Sequence, residues 1–126
     1  MSLIKTNEML LNGLYYEWLN NLIAYNQQLE GLESIIGEFE QGVIDFAFRS
    51  QLQQIKEGLR AEEHEITVLS DLVLAKREKV AKRKSDNIIS FAEVIENNHL
   101  RDRVRKAEQT AFYLKYQVNK LLSKAS

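Results

Sequence analysis

Apolar residues recur at alternating spacings of four and three between Leu11 and Phe46, and this pattern constrains the fold more than any other feature. Every position of the series is apolar: Leu11, Tyr15, Trp18, Leu22, Tyr25, Leu29, Leu32, Ile36, Phe39, Val43 and Phe46. An average spacing of 3.5 residues places them along one side of an α-helix, as a continuous seam that packs against partner helices. The pattern predicts a long first helix in a helical bundle.

A second series begins at Phe48 in a different phase and continues to Val80. Its positions are Phe48, Leu52, Ile55, Leu59, Glu62, Ile66, Leu69, Val73, Lys76 and Val80. The change of phase indicates a separate helix, predicted over about residues 43–83 and on the order of 60 Å long. Two seam positions, Glu62 and Lys76, carry charges, which lower the stability of a seam but select its register and its partner helix.

The turn between these helices is predicted between Gly37 and Gly42, because two glycines five residues apart are the strongest helix-breaking signal in the chain. The first helix then spans about residues 6–36. The alternative is a longer first helix, since the apolar series keeps its phase beyond Gly42, with the turn between Ala47 and Ser50.

A third helix is predicted over about residues 86–124, after a turn at residues 85–87, where Ser, Asp and Asn cluster. Two apolar series follow in different phases: Ile88, Phe91 and Ile95 first, and then Leu100, Val104, Ala107, Ala111, Leu114, Val118 and Leu121. The phase changes at three polar residues, 97–99. The third helix is therefore expected to be kinked or broken near Asn98.

These patterns predict an all-α fold, an elongated antiparallel bundle of three long, coiled-coil-like helices that forms a single domain over residues 1–126. The composition agrees, because 44% hydrophobic and 28% charged residues lie in the range of globular proteins. Proline, which breaks helix interiors, is absent. The length is sufficient for a buried core.

Aromatic residues occur at helical spacing in the first and last predicted helices. They are Tyr15, Tyr16, Trp18, Tyr25, Phe112, Tyr113 and Tyr116. A first helix that runs parallel to the last would bring the two groups together. We interpret them as core residues rather than as the lining of a ligand site.

The net charge of −1 conceals an uneven distribution. Residues 1–72 contain four basic and twelve acidic residues, a balance of −8, whereas residues 73–126 contain thirteen basic and six acidic residues, a balance of +7. In a hairpin centred on residues 84–85, the acids of the second helix face the bases of the third. The expected partners are Glu62, Glu63 and Glu65 on one side and Arg103, Arg105 and Lys106 on the other. This pairing explains the polarity without a polyanionic partner.

Several chemistries are disfavoured. The chain has no cysteine, which excludes disulfides, thiolate metal sites and cysteine nucleophiles. Glu96 and His99 match one half of the Glu-x-x-His pair of di-iron bundles, but the second histidine, His64, follows Ala61 at the corresponding spacing. No phosphate-binding loop or nucleophile–base pair is recognisable. We expect no metal, no cofactor and no enzymatic activity.

The start of the chain lacks the basic and then apolar layout of a signal peptide. No stretch approaches the roughly 18 uncharged apolar residues of a membrane span. A cytoplasmic protein is expected.

Six basic residues lie within nine positions at the tip of the predicted hairpin. They are Lys76, Arg77, Lys79, Lys82, Arg83 and Lys84. Such a cluster can neutralise the phosphates of nucleic acid or of anionic lipid headgroups. It can equally be a solvated helix end, whose cations favour the negative pole of the helix dipole. Binding of nucleic acid or an anionic membrane through this tip is one functional hypothesis.

Surplus apolar residues favour a second hypothesis. Leu10, Ile35, Ile44, Leu72 and Leu74 lie off the main seams, and a lone elongated three-helix bundle has a thin core. We therefore predict self-association, as a homodimer, and a function as a structural or protein–protein interaction module. The seam residues expected to contribute to the interface are Leu52, Ile55, Leu59 and Ile66.

Overall fold

The computed structural model describes residues 2–42, 45–82 and 91–125 of the chain. These residues form three α-helices, α1 (Ser2–Glu40), α2 (Phe46–Ala81) and α3 (Phe91–Ala125), and contain no strand. Each helix packs against both of the others. The predicted all-α bundle of three long helices is confirmed.

Ion pairs between α1 and α2 define the relative direction of these helices. Lys56 pairs with Glu40 at 3.4 Å, and Arg60 pairs with Glu33 at 2.9 Å. The later residue of α2 thus meets the earlier residue of α1, so the two helices are antiparallel.

The pairing of α2 with α3 follows the predicted hairpin. Arg103 Nη2 lies 2.5 Å from Glu65 Oε1, and Lys106 acts electrostatically on Glu62. The prediction is wrong for Glu63, which lies against α1 instead. Exposed pairs of this kind contribute only about 0–1 kcal/mol each, so they orient the helices more than they stabilise them.

The first turn lies close to its predicted position. α1 continues through Gly37 and ends at Glu40 rather than at residue 36, and α2 begins at Phe46 rather than at residue 43. The Asp45 carboxylate caps α2 by accepting hydrogen bonds of 2.9 and 3.4 Å from the backbone N–H groups two and three residues later. Residues 47–50 are helical, so the alternative turn there is wrong.

α3 is continuous through Asn98, so the alternative of a break there into two helices is wrong. Its seam begins with two polar residues, Glu93 and Asn97, at the spacing that continues with Leu100. The Tyr15 hydroxyl donates a hydrogen bond of 2.8 Å to Asn97 Oδ1 and so joins α3 to α1. The change of phase in the sequence marks a change from surface residues to seam residues, and no bend is needed. The predicted turn at residues 85–87 lies outside the described residues.

The core consists of the seams of all three helices. Its buried residues are Tyr15, Trp18, Leu19, Leu22, Leu29, Leu32, Ile36, Leu52, Leu59, Ile66, Leu69, Val73, Val80, Leu100, Val104, Ala107, Ala111, Leu114, Val118 and Leu121. Burial of one large apolar side chain contributes about 1.5–3 kcal/mol. Glu62 and Lys76 occupy seam positions of α2 and are half-buried, as their place in the pattern predicts.

The glycines of α1 are not explained by close helix packing. A Cβ atom at Gly13 or Gly31 would meet no other group within 4 Å, whereas one at Gly58 of α2 would lie 3.4 Å from Leu114 Cδ2. Glycine inside a helix costs about 0.8–1.0 kcal/mol relative to alanine, because its unfolded backbone is more flexible.

We therefore expect Gly13→Ala to raise the free energy of unfolding by up to about 1 kcal/mol, measured by urea denaturation followed by circular dichroism. Gly58→Ala is the matched control. Its added methyl group contacts Leu114, so its gain should be smaller. A Gly13→Ala variant that is no more stable than the original chain would contradict this account.

Candidate interaction surfaces

The four seam residues predicted to form an interface lie mostly in the interior of the bundle. Leu52, Leu59 and Ile66 are buried in the core, with at most 1% of their surface exposed. Ile55 is half-buried and lines a shallow cavity beside Tyr113. Leu52, Leu59 and Ile66 pack within their own chain and are therefore inaccessible to another protein in this fold.

The basic tip is partly engaged within the bundle. Lys76 forms an ion pair with Glu96 of α3, and the guanidinium of Arg77 lies 5.6 Å from the centre of the Tyr16 ring, which is a cation–π contact. Lys79 is exposed. Two of the described cations are therefore bound to other helices.

The remaining basic residues lie at or beyond the end of α2. Lys82 is exposed and forms the C-cap of the helix. Arg83 and Lys84 lie outside the described residues. Lys79 and Lys82 are thus the described residues of this cluster that form no ion pair or cation–π contact, although the charge of Lys79 also acts on the Glu96 carboxylate.

Many large apolar side chains remain at the surface. Among the described residues thirteen are exposed: Leu10, Tyr16, Ile23, Ile35, Phe46, Leu72, Leu74, Phe91, Val94, Ile95, Phe112, Tyr113 and Tyr116. Four of the five surplus residues identified in the sequence are among them, and the fifth, Ile44, lies outside the described residues. Surface apolar residues that form a contiguous patch mark binding surfaces, so their arrangement matters more than their number.

Two contacts identify the flank of α3 that faces α1. Burial and the neighbouring Glu108 raise the pKa of Tyr25, so Glu108 lies against α1. Val94 lies two heptads before Glu108 and is therefore on the same flank of α3. Phe91 precedes Val94 by one helical turn, so it lies next to Val94 on this flank. Arg103, which pairs with α2, marks the opposite flank.

Glu33 and Tyr16 contact α2 and so mark the flank of α1 that faces α2. The other flank of α1 faces α3. Leu14 on this flank is half-buried and packs against the core. Ile35 lies three heptads after Leu14, and Leu10 lies one turn before it. Both are exposed.

The outer surface between these two flanks is named here the α1/α3 groove. Its exposed apolar residues are Leu10 and Ile35 of α1 and Phe91, Val94 and Phe112 of α3. The same heptad assignment places four exposed apolar residues at the groove between α1 and α2: Tyr16, Ile23, Phe46 and Leu74. The α1/α3 groove, with five, carries the largest number among the described residues.

The interpretation of the aromatic residues as core is correct for two of them. Tyr15 and Trp18 are buried, with ring centroids 5.7 Å apart. Tyr25 is half-buried and packs against the core. The interpretation is wrong for the four aromatic residues that lie outside the four-three spacing of the seams, which are 56%, 74%, 57% and 57% exposed: Tyr16, Phe112, Tyr113 and Tyr116. Their position outside the seams is visible in the sequence.

A shallow cavity of about 280 Å³ lies between α2 and α3 near the end of the chain. It is lined by Gln51, Gln54, Ile55, Tyr113, Tyr116, Gln117, Lys120, Leu121 and Lys124. The lining contains no carboxylate or histidine.

A pair of carboxylates lies between α1 and α2. The hydrogen bond from Arg60 holds the pKa of Glu33 below its usual range. Burial raises the pKa of Glu63 to about 7, and the neighbouring carboxylates of Glu33 and Glu30 act in the same direction. One carboxylate oxygen of Glu63, Oε1, is buried without a hydrogen-bond partner among the described residues. Neutral Glu63 is therefore favoured beside ionised Glu33.

The elevated pKa of Glu63 makes stability depend on pH. The pKa of Glu63 is about 7 in the folded chain and near the ordinary 4.5 in the unfolded chain. The contribution of the Glu63 carboxyl group to the free energy of unfolding is therefore complete below pH 4.5 and is lost as the pH rises to about 7. Glu63→Gln mimics the neutral form. We expect this variant to melt at a higher temperature than the original chain at pH 8, and at the same temperature at pH 4.5.

Glu62→Gln is the matched control for this experiment. Burial and the charge of Glu65 raise the pKa of Glu62 to about 6, whereas Lys106 acts in the opposite direction. The effect of Glu62→Gln on stability should therefore stop changing near pH 6, a lower pH than for Glu63→Gln. Melting curves recorded by circular dichroism between pH 4 and 8 separate the two windows. If Glu63→Gln has the same effect at every pH, the carboxylate pair does not titrate in this way.

Other candidate sites receive no support from the geometry. Glu96 is paired with Lys76, and His64 and His99 are both exposed. Within the described ranges, no group of three or more histidine, aspartate or glutamate side chains is arranged to hold a metal ion. None of the described helical segments combines the length and the apolar character that a membrane crossing requires.

Comparison of the chain with protein-family models, with curated proteins and with solved structures finds no match.

Proposed function

We propose that this chain is a non-enzymatic protein-interaction module that self-associates through apolar residues on the outside of its helices. The observation that supports this proposal is the set of large apolar side chains that stay exposed although the bundle has a complete core. Exposure of this kind is unfavourable in water, and contact with another protein surface relieves it.

The surfaces proposed for this role differ from the seam residues Leu52, Ile55, Leu59 and Ile66. Those residues pack within the chain, so the proposal moves the interface to the outer flanks of the helices. Phe91 and Phe112, which are 79% and 74% exposed, are the best candidates for anchor residues, because aromatic side chains contribute most to protein interfaces.

The competing function is binding of nucleic acid or an anionic membrane through the basic tip. Lys79 and Lys82 support it, since both are exposed. The contacts of Lys76 and Arg77 with Glu96 and Tyr16 count against it, because a phosphate would have to compete with them. We therefore rank this function second.

Replacement of Lys79, Lys82 and Lys84 by Glu distinguishes the two functions. For an interaction module, sedimentation should give a dimer without bound nucleic acid for both the original chain and the variant. A binder of polyanions should instead bind nucleic acid or anionic vesicles in a salt-dependent manner and lose this binding in the variant. That second outcome would overturn the proposal.

We further propose that the protein acts in the cytoplasm, which agrees with a chain that contains no cysteine.

A further inference from the structure

The α1/α3 groove carries opposite charges on its two sides. The flank contributed by α1 contains Glu17 and Glu38 and no basic residue, whereas the flank contributed by α3 contains Arg101, Arg105 and Lys115 against the single acid Glu108. The acid Glu108 already contacts Tyr25. One surface thus combines an acidic helix, a basic helix and exposed apolar residues.

Two contacts give the register of α1 against α3. Tyr15 is hydrogen-bonded to Asn97, and Tyr25 lies against Glu108, so the two helices run parallel. A residue of α3 therefore lies at the same height along the bundle as the α1 residue that precedes it by about 82 positions in the sequence. The same register places Phe91 and Leu10 at the same height along the bundle.

The same register places Phe112 close to Gly31 in height, and Glu17 close to Arg101. Gly31 lies on the α3-facing flank of α1, and a side chain there would meet no group of its own chain within 4 Å. The exposed ring of Phe112 therefore lies at the same height as Gly31, a position of α1 that carries no side chain.

These features are self-complementary under one symmetry operation. A two-fold axis parallel to the bundle places α1 of each copy against α3 of the other at equal height. Phe112 then faces the partner's Gly31, and Phe91 faces the partner's Leu10. Between these apolar ends, Glu17 faces the partner's Arg101 and Arg105.

We propose that a second copy of this chain binds the α1/α3 groove in this parallel two-fold arrangement. The inference rests on the self-association given above as the proposed function and specifies its surface and its orientation. Within the described part of the chain Glu17 and Arg105 form no ion pair, so both are available to a partner. Arg101 already lies 3.3 Å from Asp102 of its own helix, an exposed pair.

The groove is large enough for a stable dimer. α3 contains 35 residues and extends over about 52 Å, and two packed helices are roughly 18 Å wide. The resulting footprint is on the order of 900 Å² per copy, which matches the roughly 800 Å² per partner of a stable interface.

The opposite orientation is electrostatically unfavourable. A two-fold axis perpendicular to the helices places α1 against α1 of the partner, and the acidic flanks then face each other, as do the basic flanks of α3. Like charges across an interface oppose association. Reversal of one charge on α1 therefore has opposite effects in the two orientations.

Analytical ultracentrifugation of surface variants tests the proposed face. Phe112→Glu should raise the dimer dissociation constant by roughly 30-fold or more, the effect of losing a large aromatic anchor residue. Ile23→Glu is the matched control, since Ile23 is also exposed, at 54%, but lies at the groove between α1 and α2. It should leave the dissociation constant unchanged. Circular dichroism verifies that both variants remain helical.

Charge reversal tests the orientation. Glu17→Arg should weaken the dimer, and its combination with Arg101→Glu and Arg105→Glu should restore the affinity. A tighter dimer for Glu17→Arg alone would overturn the parallel arrangement.

The outcomes also separate this inference from the proposed function. A dimer that Phe112→Glu leaves intact, or that Ile23→Glu weakens equally, overturns the α1/α3 interface while self-association stands. A wild-type chain that stays monomeric at all concentrations overturns both.

Discussion

Everything in this structure depends on the packing of three apolar seams against one another. Each helix contributes side chains at a mean spacing of 3.5 residues, and the three rows meet in one core from Tyr15 to Leu121. Most of the stability of a helix in a protein comes from packing of its apolar face rather than from intrinsic propensity, so burial of the seams stabilises all three helices. A bundle three helices wide has no second layer, and each helix therefore exposes more than half of its circumference.

Polar residues at seam positions give this core its specificity. Glu62 and Lys76 interrupt the seam of α2, and Asn97 interrupts that of α3, where it accepts a hydrogen bond from Tyr15. A purely apolar seam allows neighbouring helices to slide by one heptad, because every register buries similar groups. Each polar contact is satisfied in one register alone, so these residues select the alignment at some expense in stability.

Completion of the core within a single chain changes which residues are available for function. The most apolar positions of α2 pack internally, so an interaction surface has to use side chains outside the seams. Phe91 and Phe112 are such residues, on the same flank of α3 and three heptads apart. The charges of the two helices also act on this surface, since acids predominate on α1 and bases on the exposed flank of α3. In the proposed dimer, apolar contacts at the ends of this surface and complementary charges between them favour a second copy of the chain as the partner.

The sequence alone determined the all-α class, the three helices, the first turn near Gly42 and the pairing of Glu65 with Arg103, because these depend on local periodicity and on order along the chain. The continuity of α3 and the exposure of Phe112 were decided by the tertiary structure. An apolar residue has the same local signature whether it faces the core or the solvent, and polar Asn97 could be recognised as a seam residue only once Tyr15 was placed beside it. The conflict between Glu33 and Glu63 likewise arose from packing, since these residues belong to different helices and meet only when the bundle forms.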